Sequence, residues 1–417
     1  MGSFIRRFAG VFLGILLCWS TMAWGQGAAR TATSRPRSRG GRAAAVTTTA
    51  PAPAAATAPA ATMPAEALPE IQIPAMSLKS GLLEADLTVV DRYIAFWVGK
   101  LTNATDENTI LEARKRLITG YRKYDSWQYQ NVYAGRASKA LLPLLEVQEV
   151  QKQINAALAI SQMRQVTVQP ALEVLVVNPN PALRLYGWAG YRGIRMLVLG
   201  QGKEAVDVMM KSLAKASLTE DSGAVMGAVL GMMYLDPDRP SMVTPVMFED
   251  ARERLFQTFR QAWPRVCTKV LEGDADMTAA AGDGLSALRK MSAGVAAKGE
   301  IPQGAVQMIV DLASCASKAY AKAVGNGLPS VSAEALLRDS EDALNAITEL
   351  RRAPISEALA AKNEAERAAA VDDAVDKWID FLKNANWPIQ EPKFQASAGA
   401  ATSQPAPAAA PAPTSTP

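Results

Sequence analysis

The stretch from Val168 to Tyr234 limits what this chain can fold into more than any other. Asn180 stands directly before Pro181, pairing a capping side chain with a residue whose missing N–H costs nothing in a first helical turn. Behind it Leu183, Tyr186, Gly187, Ile194 and Leu197 recur at helical spacing and give one apolar face. Gly200 and Gly202 stop that helix, Lys203 to Ala216 forms a second, and Thr219 with Asp221 opens a third over Gly223 to Tyr234. With the segment ahead of Asn178 these make four short helices joined by tight turns. Such helices cannot bury their apolar faces alone, so they must stack on neighbours, as in a solenoid.

Asn178, Pro179, Asn180, Pro181, Leu183 and Arg184 resemble the turn and the arginine-bearing second helix of the HEAT/armadillo class of helical repeats. The segment Gly200 to Leu213, through Gly202, Glu204 and Ala205, is similar to the second helix of a tetratricopeptide repeat. Leu183 and Val225 stand at comparable positions of successive units, a separation that fits a period of roughly 40 residues and exceeds one of roughly 34. The resemblance implies an all-α, HEAT-like α-α superhelix. It implies no activity, because one fold hosts many functions.

The patterning continues on both sides. Leu82, Leu83, Leu87, Val90, Tyr93, Ile94 and Trp97 mark an amphipathic helix over Leu78 to Leu101. Thr105 or Asp106 caps the next, with Ile110, Leu111, Arg114, Leu117, Ile118 and Tyr121 on its stripe, and Pro143 breaks a helix over Ala134 to Met163. The run Leu235-Asp236-Pro237-Asp238-Arg239-Pro240 cannot continue a helix. It divides a helical repeat region, residues 66–235, from a second, bundle-like helical region, residues 241–393. Helices are expected there over Pro245 to Leu271, Asp276 to Lys298, Pro302 to Val324, Ser332 to Arg352 and Ile355 to Asn384. No run alternates apolar and polar residues with β-branched enrichment, so strands should be almost absent.

The ends have a different chemistry. Arg6 and Arg7 precede an apolar run from Phe8 to Trp19, and Ala23-Trp24-Gly25 offers small residues for cleavage, so residues 1–25 read as an export signal and the mature chain as periplasmic or extracellular. Leu17 before Cys18 spoils a lipobox, and Ala9 stands where twin-arginine export favours phenylalanine. Residues 26–65 are an arm of Arg, Ala, Pro and Thr, and residues 394–417 an Ala/Pro tail; neither composition can offset chain entropy by burial, so both are expected to be disordered. Of 44 basic residues, seven (Arg6, Arg7, Arg30, Arg35, Arg37, Arg39 and Arg42) precede the body, leaving 37 against 40 acidic ones and a net charge of −3 there. The arm reads as a soluble tether, with no nucleic-acid partner, and no transmembrane span is expected after signal removal.

The chain has no histidine, which excludes Ser-His-Asp and Cys-His catalysis, HExxH zinc sites and histidine-ligated haem. Neither metal nor cofactor is expected. Cys267 and Cys315 remain after processing and would bridge in an oxidising compartment. Ser212-Leu213-Ala214-Lys215 matches S-x-x-K without the partner elements of that chemistry and is expected on the outer face of its helix; Asp274 and Asp276 read as turn residues, and Gly282-Asp283-Gly284 as a site of close helix packing. Asp236 and Asp238 are the carboxylates an envelope glycosidase of helical-toroid type would use.

Tyr121, Tyr124, Trp127, Tyr129 and Tyr133 concentrate large aromatics in a chain only 6% aromatic, with Arg122, Lys123 and Arg136 interleaved. Such a segment either plugs a corner of the core or grips a ligand, since Tyr and Trp give much contact area for little entropy. The resulting expectation is an exported, non-catalytic binding or scaffolding protein whose partner is a protein or envelope polymer.

Overall fold

Fifteen α-helices, two 3-10 turns and no strand make up the described residues of the computed structural model, which are 68–235, 242–293, 299–361 and 363–392. The signal, arm and tail expected over residues 1–25, 26–65 and 394–417, and the loop of Asp236 and Asp238, lie outside them.

An extended entry leads to α1 (Ala75–Ser80). Six helix pairs follow: α2 (Glu84–Asn103) with α3 (Glu107–Tyr121), α4 (Trp127–Leu141) with α5 (Val150–Gln162), α6 (Gln169–Val176) with α7 (Pro181–Leu199), α8 (Lys203–Thr219) with α9 (Gly223–Met232), α10 (Pro245–Glu272) with α11 (Ala275–Ser292), and α12 (Glu300–Gly325) with α13 (Val331–Thr348). The short α14 (Pro354–Leu359) and α15 (Glu364–Asn384) close the chain, α15 lying on α12.

The packing follows two rows. First helices meet first helices, α2 on α4, α6 on α8, α8 on α10 and α10 on α12, while α4 reaches α6 through the 3-10 turn Val166–Val168. Second helices meet second helices from α3 through α5, α7, α9 and α11 to α13. The contact of α9 with α11 joins helices on either side of residues 236–241 in the sequence. It is close because α9 presents small residues: a Cβ on Gly223 would fall 2.3 Å from the backbone of Asp276, and one on Gly227 would fall 2.4 Å from Oδ2 of Asp283.

Local chemistry sets the boundaries. Asp106, Asn180 and Asp274 cap α3, α7 and α11 by accepting from Thr109, Ala182 and Asp276 backbone N–H groups, so the turn reading of Asp274 holds. Pro143 breaks the helix where the sequence placed the break, giving the 3-10 turn Leu142–Leu145. The single helix expected from Leu78 to Leu101 is two, because Gly81 takes φ +118°, a region open to glycine and closed to a helix. The one expected from Ile355 to Asn384 is likewise split into α14 and α15. Leu183 and Val225 are both the third residue of a second helix, α7 and α9, and both are buried.

Adjacent turns are tied together by arginines. Arg184 of α7 donates from Nε and Nη2 to the two carboxylate oxygens of Glu220 at 2.8 Å each, and from Nη1 to the carbonyls of Asn178 and Pro179 at 2.9 Å. Arg265 of α10 reaches the same turn, pairing with Asp221 and with the carbonyl of Glu220. Cys267 and Cys315 are present as free, buried thiols on α10 and α12, close enough to hydrogen-bond each other. Burial, then the neighbouring Cys315, pushes the Cys267 thiol well above its ordinary range.

Candidate binding groove

Ser126 begins the site. Its hydroxyl oxygen accepts from Tyr129 N and caps α4, and its proton goes to the Leu78 carbonyl of α1 at 3.1 Å, so one side chain fixes two helices against each other. The α4 spiral then sorts the aromatics that follow. Tyr129 and Tyr133, four residues apart, face inward with 0% exposure, whereas Trp127 at the first helical position points away and is 60% exposed.

The inward tyrosines do a structural job. Tyr93, Tyr133 and Tyr129 donate to the carbonyls of Arg116, Leu117 and Gly120 at 2.8, 2.9 and 2.7 Å, tying α2 and α4 to the last turns of α3. Gly120 makes this possible, since a Cβ there would lie 2.6 Å from the Tyr133 hydroxyl and from the Tyr93 ring. Tyr121 is buried beside them with its ring centroid 6.4 Å from that of Tyr133. Burial, with the neighbouring phenols adding to it, pushes the hydroxyls of Tyr129 and Tyr133 upward, so both stay protonated donors. For Tyr121, Tyr129 and Tyr133 the ligand-gripping expectation is therefore corrected: they plug the corner between α3 and α4.

Tyr124 and Trp127 remain at the surface. Tyr124 stands edge-on to Tyr129 at 5.0 Å; its hydroxyl accepts from Ile73 N at 2.9 Å and donates to the Ile71 carbonyl at 3.2 Å, clasping the extended entry segment. Between this loop and α1 runs an open groove of about 600 Å³, walled by Ala75, Leu78 and Lys79 on one side and by Tyr124 to Gln128 on the other. The α1 wall was not foreseen from the sequence, which ran one helix through Gly81; Pro74 and Gly81 bracketing six residues is the signal that marks it. The groove has one ammonium, Lys79, and one carboxylate, Asp125, at its rim. It offers apolar contact and hydrogen bonding, with no nucleophile set beside a base.

The other expected motifs go elsewhere. Ser212 is half-buried and donates to Glu173 Oε2 at 2.6 Å, so it does not lie on the outer face and is engaged by a carboxylate. Tyr191 donates to the other Glu173 oxygen. Gly284 meets the Trp263 ring, where a Cβ would fall at 2.7 Å, which is the close packing read for Gly282-Asp283-Gly284. A charged group on α7 and α11 surrounds Tyr234: the Arg195 guanidinium is 4.2 Å and the Lys290 ammonium 4.5 Å from its ring centre. Burial holds the Asp283 carboxyl above the usual range, against the opposing charges of Arg192 and Lys290. A second pocket, about 340 Å³, lies between α14 and α15 with Arg352, Glu357, Asp373, Lys377 and Phe381 on its walls. No helix of the described residues is long and apolar enough to cross a membrane.

No family model matches this chain, and no curated protein matches it. Among solved structures it is similar to the crystal structure of an engineered protein from a structural genomics consortium, at 14% identity over 61% of this chain and 96% of that one, with a TM-score of 0.33.

Proposed function

We propose that the chain is an exported, non-catalytic α-solenoid of HEAT-like helix pairs that binds or scaffolds a protein or polymer of the cell envelope, with the Trp127 groove as a point of contact. Support for the solenoid is the row-on-row packing of first helices and of second helices, and the matching positions of Leu183 and Val225. The observation that carries the binding role is the exposure of Trp127 beside a groove, in a cluster whose other members are turned inward or clasp the chain. An exposed tryptophan with apolar walls and a polar rim is the composition of an interface anchor.

The test is capture from envelope extract by the wild type and by Trp127→Ala in parallel. A species held by the first and lost from the second, with the melting temperature unchanged, supports the reading; identical capture by both removes Trp127 from any interface.

A further inference from the structure

Charge is sorted by sign along the pocket between α14 and α15. The Arg352 guanidinium lies over the Phe381 ring, 5.0 Å from its centre, and the chain must return from there to the start of α15 at Glu364. The α14 helix therefore runs back along α15 and carries Glu357 toward Asp373, leaving Arg352 and Lys377 at the Phe381 end. We propose that this pocket binds a short peptide with free termini, of dipeptide size, its carboxylate held by Arg352 and Lys377 and its ammonium by Glu357 and Asp373. The site is separate from the Trp127 groove and does not rest on it.

Four observations carry it. The first is pairing: Asp373 and Lys377 stand four apart on α15, the spacing and order at which Glu334 and Arg338 pair at 2.9 Å on α13, yet no ion pair joins any two of the pocket's four charges. Asp372, the neighbouring residue, is by contrast taken by the Ser317 hydroxyl at 2.6 Å. Two cations and two carboxylates held apart make a site with no net charge and a marked dipole, which a zwitterion complements and an ion of one sign does not. The second is spacing: four residues of helix rise about 6 Å, and two extended residues span about 7 Å, so the termini of a dipeptide reach both poles. The third is preorganisation. Asn345 donates to the Arg352 carbonyl at 2.7 Å and accepts from its N–H at 2.8 Å, while the turn ahead passes through Glu349 and Arg351 at φ +58° and +51°. Left-handed backbone is unfavourable for residues with a Cβ, so a clamped turn of this kind delivers Arg352 to a set place over Phe381, where its guanidinium can meet a carboxylate through two N–H groups. The fourth is lining: Ala353, Ala358 and Ala374 leave short apolar walls around about 340 Å³, room for small side chains.

The experiment is calorimetric titration of the full chain with alanyl-alanine, with its N-acetyl and C-amide forms, and with the doubly capped form. The free dipeptide should bind with a dissociation constant of about 1 mM or tighter, and each cap should weaken it about fivefold or more. Arg352→Gln should weaken the free and N-acetyl forms and leave the amide form unchanged. Asp373→Asn should weaken the free and amide forms and leave the N-acetyl form unchanged. Both side chains are exposed, so both variants should melt with the wild type. Raising the ionic strength from about 0.01 to 0.15 M, which shortens the screening length from about 30 to 8 Å, should weaken the free dipeptide most. Trp127→Ala should bind it as the wild type does. No saturable heat with the free dipeptide, equal binding of the doubly capped form, or full binding by both pocket variants overturns the proposal and leaves the reading of the Trp127 groove untouched. Loss of binding in Trp127→Ala moves the peptide to the groove and overturns it as well.

Discussion

The buried Glu341 carboxylate accepts the indole N–H of Trp378 at 2.9 Å. The same carboxylate takes the backbone N–H groups of Ile355 and Ser356 at 2.8 and 2.9 Å. One side chain of α13 thus caps α14 and anchors α15. Glu341→Ala leaves three donors unpaired in the interior and should cost about 3 kcal/mol or more, while Glu341→Gln, which keeps an acceptor, should recover part of it. Urea midpoints of the two variants check this order.

Arg184 and Glu220 give a pH signature. Burial alone would raise the Glu220 carboxyl, but hydrogen bonds from Arg184 and from Ser222 N outweigh it and hold the group below its ordinary value. The folded value is lowered, so the contribution is present above about pH 4.3, the ordinary Glu value, and is lost as pH falls through the folded value. Arg184→Met should cost about 3 kcal/mol at pH 7 and flatten the acid limb of stability against pH between about 2 and 5.

Glu173 behaves in the opposite sense. Burial raises its carboxyl, with the Ser212 hydrogen bond opposing, so ionising it at neutral pH works against the fold. The stability it contributes is present below its ordinary value and fades as pH rises through the raised folded value. Glu173→Gln should therefore gain stability at pH 7 and lose that gain near pH 4, as measured by denaturant midpoints at the two pH values.

Trp127→Ala should change stability by less than about 0.5 kcal/mol, because most of its side chain stays in solvent. Tyr133→Ala should cost about 3–5 kcal/mol, since it removes a core ring and its hydrogen bond to the Leu117 carbonyl. Equal losses in thermal melts would contradict this division of the aromatic cluster.

The two buried thiols should resist a water-soluble disulfide reagent in the native protein and both react in denaturant when the chain is made under reducing conditions. Made in an oxidising compartment, the pair is proposed to bridge. Closing a loop of this length would add roughly 4 kcal/mol in the chain-entropy model, and peptide mapping without reduction would then yield one linked fragment holding Cys267 and Cys315.

The helices were legible wherever punctuation and periodicity agreed. Asn180-Pro181 starts α7 as read and Pro143 breaks the chain where it should, whereas α11 begins at Ala275, so that of the two aspartates read as turn residues Asp274 caps the helix and Asp276 lies in its first turn. Gly81 was missed because its role depends on φ, which composition does not reveal; apolar residues on both sides of it keep a helical beat across the break. The aromatic cluster was visible as a cluster, but not its partition. That depends on α4 starting at Trp127 rather than a residue later and on the α3 carbonyls that the tyrosine hydroxyls reach, facts that exist only once the two helices meet. The repeat was faint for a measurable reason: second-helix caps stand 31 residues apart from Glu149 to Asn180 and 56 apart from Asp274 to Ser330, so no single period runs through the sequence.

Row-on-row packing also dictates how the molecule meets mechanical load. Each helix pair leans mainly on the pair before and the pair after, so tension applied at the two ends of the described body is borne there before it reaches the middle. At one end the load falls on the grip of Tyr124 on Ile71 and Ile73, and at the other on the Glu341 and Trp378 lock. Stretched in an optical trap from residues 68 and 392, the helical body would lengthen in steps from its extremities inward.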